Sequence, residues 1–200
     1  IAGPKLRTRW QTHAPKTHFM DYDPDSDDKT IRLAIQPGNH DAWIDWGDDS
    51  PATRLTSSMS TNDITHTYAA PGTYDVTITG KVDGFGFGGS ARDEHKLLDV
   101  MEWGNTKIAD GGFQFRSAVN MAISATDAPD LSGVRDFSNA FASLGVTPRT
   151  GTMNIGHWDT SSITNMERAF WSHDQFDTNI GGWDVSNVDN FALMFAGAAS

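Results

Sequence analysis

One pattern occurs twice near the end of this chain, as WDTSSITNMERAF at residues 158–170 and as WDVSNVDNFALMF at residues 183–195. Trp, Asp, Ser, a β-branched residue, Asn, an apolar residue and Phe recur at the same offsets, 25 residues apart. A single closed core needs no such register, whereas stacked repeats do, because each unit must offer the next one the same apolar surface. The pattern therefore predicts a stacked repeat, an architecture that binds or spaces more often than it catalyses.

A third unit precedes these two. Asp130 lies 29 residues before Asp159, and the four extra residues fall in residues 144–151, which have the composition of a loop. Each unit ends in an apolar residue followed four positions later by Phe, and residues four apart share one face of a helical turn. We therefore expect helical turns in which Phe141, Phe170 and Phe195 stack along the repeat.

The polar positions of the units have predicted local roles. Asp159 and Asp184 are expected to bond nearby backbone N–H groups. Asn165 and Asn190 are suited to cap a turn or to bridge adjacent units.

This frame resembles the BspA-like leucine-rich repeats of bacterial surface proteins, and the resemblance covers about residues 101–200. The positions that carry it in the last unit are Phe176, Ile180, Trp183, Asp184, Val185, Ser186, Val188, Asn190, Met194 and Phe195. Phe191 stands where the family usually has Met. The resemblance implies a short leucine-rich-repeat-type solenoid with helical turns.

The preceding part of the chain has a β pattern. Short runs with alternating apolar residues are separated by turn signals, as in TIRLAIQ at 30–36 and TYDVTIT at 73–79. WGDDS at 46–50 and HTYAAPGTYDVTITG at 66–80 resemble the PKD domain, which implies an immunoglobulin-like β-sandwich over residues 17–100. Trp46 should then fill the core, Asp48 should accept hydrogen bonds in its own turn, and His66 should be structural.

These patterns predict a mainly β chain in three parts. Residues 1–16, with Pro4 and Pro15, are interpreted as an extended arm or linker, residues 17–100 as the sandwich, and residues 101–200 as a cap with about three repeats. The first residue is Ile1 and Ser200 falls part-way through a unit, so we expect a piece of a longer chain or one with its leader removed.

Charge and composition narrow the possible partners. The chain has 26 acidic and 15 basic residues and a net charge of −11, a field that repels phosphate backbones and disfavours nucleic acid as a partner. It has no cysteine, which excludes disulfides and thiol chemistry. No apolar run approaches the length of a membrane span.

An acidic cluster is the candidate metal site. Its members are Asp21, Asp23, Asp25 and Asp27, followed by Asp28. Ser26 and Arg32 stand where an EF-hand needs Gly and Glu, so the cluster is either a looser calcium site or a solvated acidic loop. No cofactor other than calcium is indicated.

Several aromatic residues are not required by either pattern. Trp10, Phe85, Phe87 and Trp171 are candidates for contacting a protein or a glycan, with packing between the two domains as the alternative. Phe85 and Phe87 lie in GFGFGGS at 84–90, interpreted as a hairpin tip. Trp43, which alternates with Asp45, is expected to pack.

These observations favour a non-enzymatic extracellular or cell-surface module for adhesion, recognition or spacing, whose partner is a protein or glycan on another surface. Two alternatives remain. One is a structural component of an assembly, such as a phage tail, a capsid decoration or a surface filament, with neighbouring subunits as partners. The other is an accessory domain of a secreted hydrolase.

Overall fold

The chain is mainly β with almost no helix in the computed structural model, which describes residues 3–13, 29–59, 64–90, 93–144, 152–174 and 176–198. The strands in these ranges are β1 (Lys5–Gln11), β2 (Thr30–Arg32), β3 (Asp41–Asp45), β4 (Thr53–Thr56), β5 (Thr65–Thr67), β6 (Thr73–Phe85), β7 (Leu97–Glu102), β8 (Thr106–Ile108) and β9 (Ala122–Ile123). Two 3₁₀ turns, Gly88–Ser90 and Glu94–Lys96, lie between β6 and β7.

One large sheet has the strand order β4-β3-β6-β1-β7-β9, with β8 paired to the end of β6. The β7–β9 and β6–β8 pairs are parallel and the others are antiparallel. A separate two-stranded sheet pairs β2 with β5. Because the parallel pairs join residues before and after position 103, the sheet continues into the repeat region.

The interpretation of residues 1–16 as an arm is wrong for the strand that they contain. β1 pairs with β6 on one side and with β7 on the other, so it lies inside the sheet. Its side chains alternate, with Leu6, Thr8 and Trp10 buried and the intervening basic residues facing outward. The strand is therefore part of the core and is not free to reach a neighbouring molecule.

The repeat region contains four successive runs of tight turns, which we call the turn segments: residues 110–117, 136–143, 165–172 and 190–197. The prediction of helical turns is wrong for them. Non-glycine residues with positive φ recur four positions apart, as at Asn139 (φ 53°) and Ser143 (φ 56°), or Arg168 (φ 54°) and Ser172 (φ 52°). A helix cannot accommodate left-handed residues at this spacing, and an i to i+3 turn with a left-handed third residue is of type II.

The sheet and the repeat region share one hydrophobic core. Phe85 at the end of β6 lies 5.9 Å from Trp103 and 6.1 Å from Phe115, measured between ring centroids. Trp103 in turn meets Trp158 at 5.5 Å. Rings from both parts thus pack against one another across the predicted boundary at residue 100.

Candidate interaction surface

The turn segments are held in register by stacked Phe rings. The ring centroids of Phe141 and Phe170 are 5.5 Å apart with an interplanar angle of 6°, and those of Phe170 and Phe195 are 5.5 Å apart at 4°. The predicted stack is therefore confirmed. Each ring can remove roughly 150–250 Å² from water, so the stack is a major apolar contribution to the repeat region.

Sequence reasoning missed one ring of the stack. Phe115 lies 5.4 Å from Phe141 at an interplanar angle of 20°, and it is fully buried. The signal was present, because Asp110, Phe115 and Ser117 precede Asp136, Phe141 and Ser143 by 26 residues each. Two adjacent glycines in the first turn segment obscured this match.

A one-directional hydrogen-bond ladder joins consecutive turn segments. In each of the first three segments, four backbone N–H groups donate to carbonyl oxygens of the next segment, over 2.8–3.0 Å. In the third segment the donors are Met166, Arg168, Phe170 and Ser172. Each segment therefore offers N–H groups on its forward edge and carbonyl groups on its backward edge.

A short Asp-x-Ser turn precedes each of the last three turn segments. The N–H of Ser161 donates to Asp159 Oδ1 over 3.1 Å, and the N–H of Ser186 donates to Asp184 Oδ1 over 2.9 Å, as in the turn at 130–132. Hydrogen bonds from these serines hold the pKa of Asp159 and of Asp184 below the usual range of a carboxyl group. The predicted bonding of both aspartates to local N–H groups is confirmed.

The asparagines bridge neighbouring units, which was one of their two predicted roles. Asn165 Nδ2 donates to Asp136 Oδ1 over 3.0 Å, and Asn190 Nδ2 donates to Glu167 Oε2 over 3.2 Å. The side-chain oxygen of Asn165 also accepts the N–H of Glu167 at 3.0 Å. Each asparagine thus connects a turn segment to the one before it.

The sandwich motif forms an aromatic cluster around Trp46. The His66 imidazole stacks on the Trp46 indole at 4.7 Å and meets the Tyr68 ring edge-on at 4.6 Å. His66 Nε2 contacts Asp48 Oδ2 at 2.7 Å, and the Tyr68 hydroxyl donates to the Trp46 carbonyl at 3.0 Å. Burial of Tyr68 raises the pKa of its hydroxyl. His66 is packed within this cluster, in agreement with the structural role predicted for it.

Asp48 accepts hydrogen bonds from two directions. The N–H of Ser50 donates to its Oδ1 over 3.2 Å, as predicted for a turn residue, and His66 occupies its Oδ2. Burial acts to raise the pKa of Asp48, but the hydrogen bonds from Ser50 and His66 outweigh it and lower that pKa. Asp49 follows with a φ of 61°, the left-handed geometry that Asp tolerates in turns.

Three of the four aromatic candidates are not exposed. Trp10 is fully buried because it points inward from β1, and its Nε1–H donates to Thr8 Oγ1 at 2.9 Å. Phe85 and Phe87 are also buried, since β6 extends to Phe85 instead of ending in a hairpin at GFGFGGS. Packing, the alternative considered for these rings, is what the structure shows, so they cannot contact a partner.

Two tryptophans do stand in solvent. Trp171 is 39% exposed and lies at the side of the stack, in the third turn segment. Trp43 is 44% exposed on the outer face of β3, so the expectation that it packs is wrong, although the Arg54 guanidinium lies 5.3 Å from its ring centroid. Trp171 remains the candidate contact residue of the repeat region.

The candidate calcium cluster of Asp21, Asp23, Asp25 and Asp27 lies outside the described residues. Within the described ranges, no group of three or more His, Asp or Glu side chains is arranged to hold a metal ion. Across the same residues, no helix has the length and apolarity needed to cross a membrane.

Comparison with known proteins gives one match. Residues 135–200 match the family described as "Mycoplasma protein of unknown function, DUF285". These residues include the last three turn segments and most of the Phe stack. No curated protein and no solved structure matches the chain.

Proposed function

We propose that this chain is a non-enzymatic extracellular module that acts in adhesion, recognition or spacing at a cell or particle surface. The observation that carries the proposal is the regular stack of turn segments, which forms a long side surface with one exposed indole. Regular stacks of this kind are suited to binding along an extended surface, since each unit repeats the same geometry.

The two-part architecture supports this role. The cluster of Trp46, His66 and Tyr68 uses the motif residues of a PKD-like sandwich, and the ladder between segments fits a leucine-rich-repeat-type solenoid. The family match over residues 135–200 coincides with the resemblance to BspA-like surface proteins. Both resemblances favour an extracellular or cell-surface location.

The polar residues of the motifs have structural work that fits a non-enzymatic role. Asp48 binds the imidazole of His66 and the N–H of Ser50 at the same time. In a nucleophile–His–Asp arrangement the hydroxyl approaches the imidazole, whereas here Ser50 approaches the carboxylate. Asp159 and Asp184 are engaged by the serines of their own turns.

Trp171 is the residue that we expect to contact the partner. Its backbone is fixed on both sides, because its N–H donates to the Arg168 carbonyl at 3.0 Å and its carbonyl accepts the N–H of Ser143 at 2.8 Å. A rigidly held, half-exposed indole offers an apolar face to a sugar ring or a protein side chain at low entropic cost.

The test is a glycan-array and protein-binding screen of the full chain, followed by Trp171→Ala. Binding should fall by at least about tenfold, the loss of roughly 1.4 kcal/mol that truncating an aromatic anchor causes. Trp43→Ala is the matched control, because Trp43 is similarly exposed but lies on the sheet. Equal loss in both variants, or none in Trp171→Ala, would refute Trp171 as the contact.

A further inference from the structure

The fourth turn segment ends the stack with an uncovered edge. Its residues Phe191, Leu193, Phe195 and Gly197 are equivalent to the four donors of the third segment. Among the described residues, the backbone N–H groups of these four have no acceptor. We call these N–H groups, with the side chains of residues 191, 193 and 195, the terminal edge.

The terminal edge is also apolar. Phe195 stacks on Phe170 with one face and is 44% exposed, while Phe191 and Leu193 are 45% and 51% exposed. At the equivalent positions of the third segment, Met166 and Phe170 are fully buried by the segment that follows them. The same surface is thus covered in one unit and open in the next.

The hydrogen-bonding groups of the terminal edge restrict what can cover it. It presents donors without acceptors, so an ordinary β-strand, whose edge alternates N–H and carbonyl groups, would leave half of its own groups unpaired. A second copy that met it with the same edge would bring donors against donors. The backward edge of the first turn segment is already occupied, since Phe87 N–H donates to the Gln114 carbonyl.

The interface that does match is seen three times in this molecule. Each preceding segment is covered by a segment that supplies four carbonyl groups, and a Phe ring stacks at 5.4–5.5 Å. We propose that the terminal edge is a docking surface for a partner polypeptide carrying a turn segment of the same frame, which pairs its carbonyl edge with the four free N–H groups. This inference does not depend on the proposed surface role.

The probe is a synthetic peptide with the sequence of residues 183–198, WDVSNVDNFALMFAGA, added to the full chain. Amide hydrogen exchange is followed by NMR. We expect exchange at Phe191, Leu193, Phe195 and Gly197 to slow by at least about tenfold at saturating peptide, because these amides become hydrogen-bonded. The amides of the third segment are protected throughout and serve as the internal reference.

Two controls make the result specific. A peptide with Phe195→Asp should not slow exchange, since its charged side chain cannot stack. The chain with Phe195→Asp should not respond to the original peptide, whereas Trp43→Asp, a change at an equally exposed aromatic on the sheet, should respond fully.

The proposal is overturned if the original peptide protects none of the four amides, or if the control peptide protects them equally. It is also overturned if the amides are already protected without peptide while sedimentation shows a dimer, since a second copy would then be the occupant.

Discussion

At the scale of single residues, the Phe stack carries much of the stability of the repeat region. Phe170 is fully buried between Phe141 and Phe195, whereas Phe195 has a neighbour on one face and solvent near the other. The two rings occupy equivalent positions in consecutive turn segments. Position in the stack, and not residue type, therefore decides how much each ring contributes.

Phe170→Ala should lower the free energy of unfolding by about 3–5 kcal/mol, the usual cost of emptying a buried aromatic site. Phe195→Ala should cost clearly less, because its ring keeps nearly half of its surface in water. Urea unfolding of both variants measures the difference. Similar losses in the two variants would contradict a stack that ends at the fourth segment.

The Asp-x-Ser turns predict a pH dependence. Asp159 and Asp184 have lowered pKa values in the folded state, so their hydrogen bonds stabilise the fold above the unfolded carboxyl pKa of about 3.9 and are lost as the pH falls through the lowered values. Stability should be flat with respect to these groups above about pH 5 and should decline in acid.

The double variant Asp159→Asn/Asp184→Asn isolates this contribution, because Asn keeps an acceptor oxygen for the serine N–H groups but does not titrate. Its urea midpoint should fall less steeply between pH 5 and pH 3, taken as approximate limits, than that of the unaltered chain. If the two curves have the same slope, other carboxylates govern the acid response.

At the scale of elements, β1 depends on a close contact with the turn after β7. Gly104 has a φ of 57°, and a Cβ placed on it would lie 2.6 Å from the backbone N and O atoms of Lys5. Only glycine allows the chain to approach the start of β1 this closely. The contact fixes the first strand between β6 and β7.

Gly104→Ala should therefore destabilise the protein by about 1–3 kcal/mol from backbone strain alone, with the clash against β1 adding to it. Gly89→Ala is the control, since no atom lies within 4 Å of its added Cβ and its φ is not left-handed, and it should change stability by less than about 0.5 kcal/mol. Thermal unfolding of both variants provides the comparison. A neutral Gly104→Ala would mean that β1 can shift without cost.

At the scale of the whole molecule, the sheet and the repeat region are energetically linked. Phe85 and Trp103 pack with Phe115 and Trp158, and β9 extends the sheet beside β7. Separating the two parts at residue 100 would expose these rings to water, at a cost of about 25 cal/mol for each Å² of apolar surface. The two predicted domains thus lack independent cores.

We expect a single cooperative unfolding transition for the full chain. Calorimetry should give one peak, and the far-UV circular dichroism of the strands should coincide with the tryptophan fluorescence change. Two resolved transitions would show that the shared core is weaker than the packing within each part.

The sequence alone determined the features that recur or alternate locally. The 25-residue register placed Phe141, Phe170 and Phe195 in one stack, and the Asp-x-Ser spacing predicted its own turn, because identical offsets must produce identical surroundings in stacked units. The alternation of basic and buried residues in β1 was also legible, although Pro4 and Pro15 directed attention away from it.

Tertiary structure alone decided which aromatic residues reach solvent and how the turn segments are wound. Trp10, Phe85 and Phe87 are buried by strands distant in sequence, and no local pattern records which of two faces a neighbouring element will cover. The Phe-x-x-x-Phe spacing is compatible with a helix, but the N–H groups of each segment bond to the next segment rather than within it. These inter-segment bonds satisfy the backbone and hold the left-handed residues in place, which is why turns replace helices here.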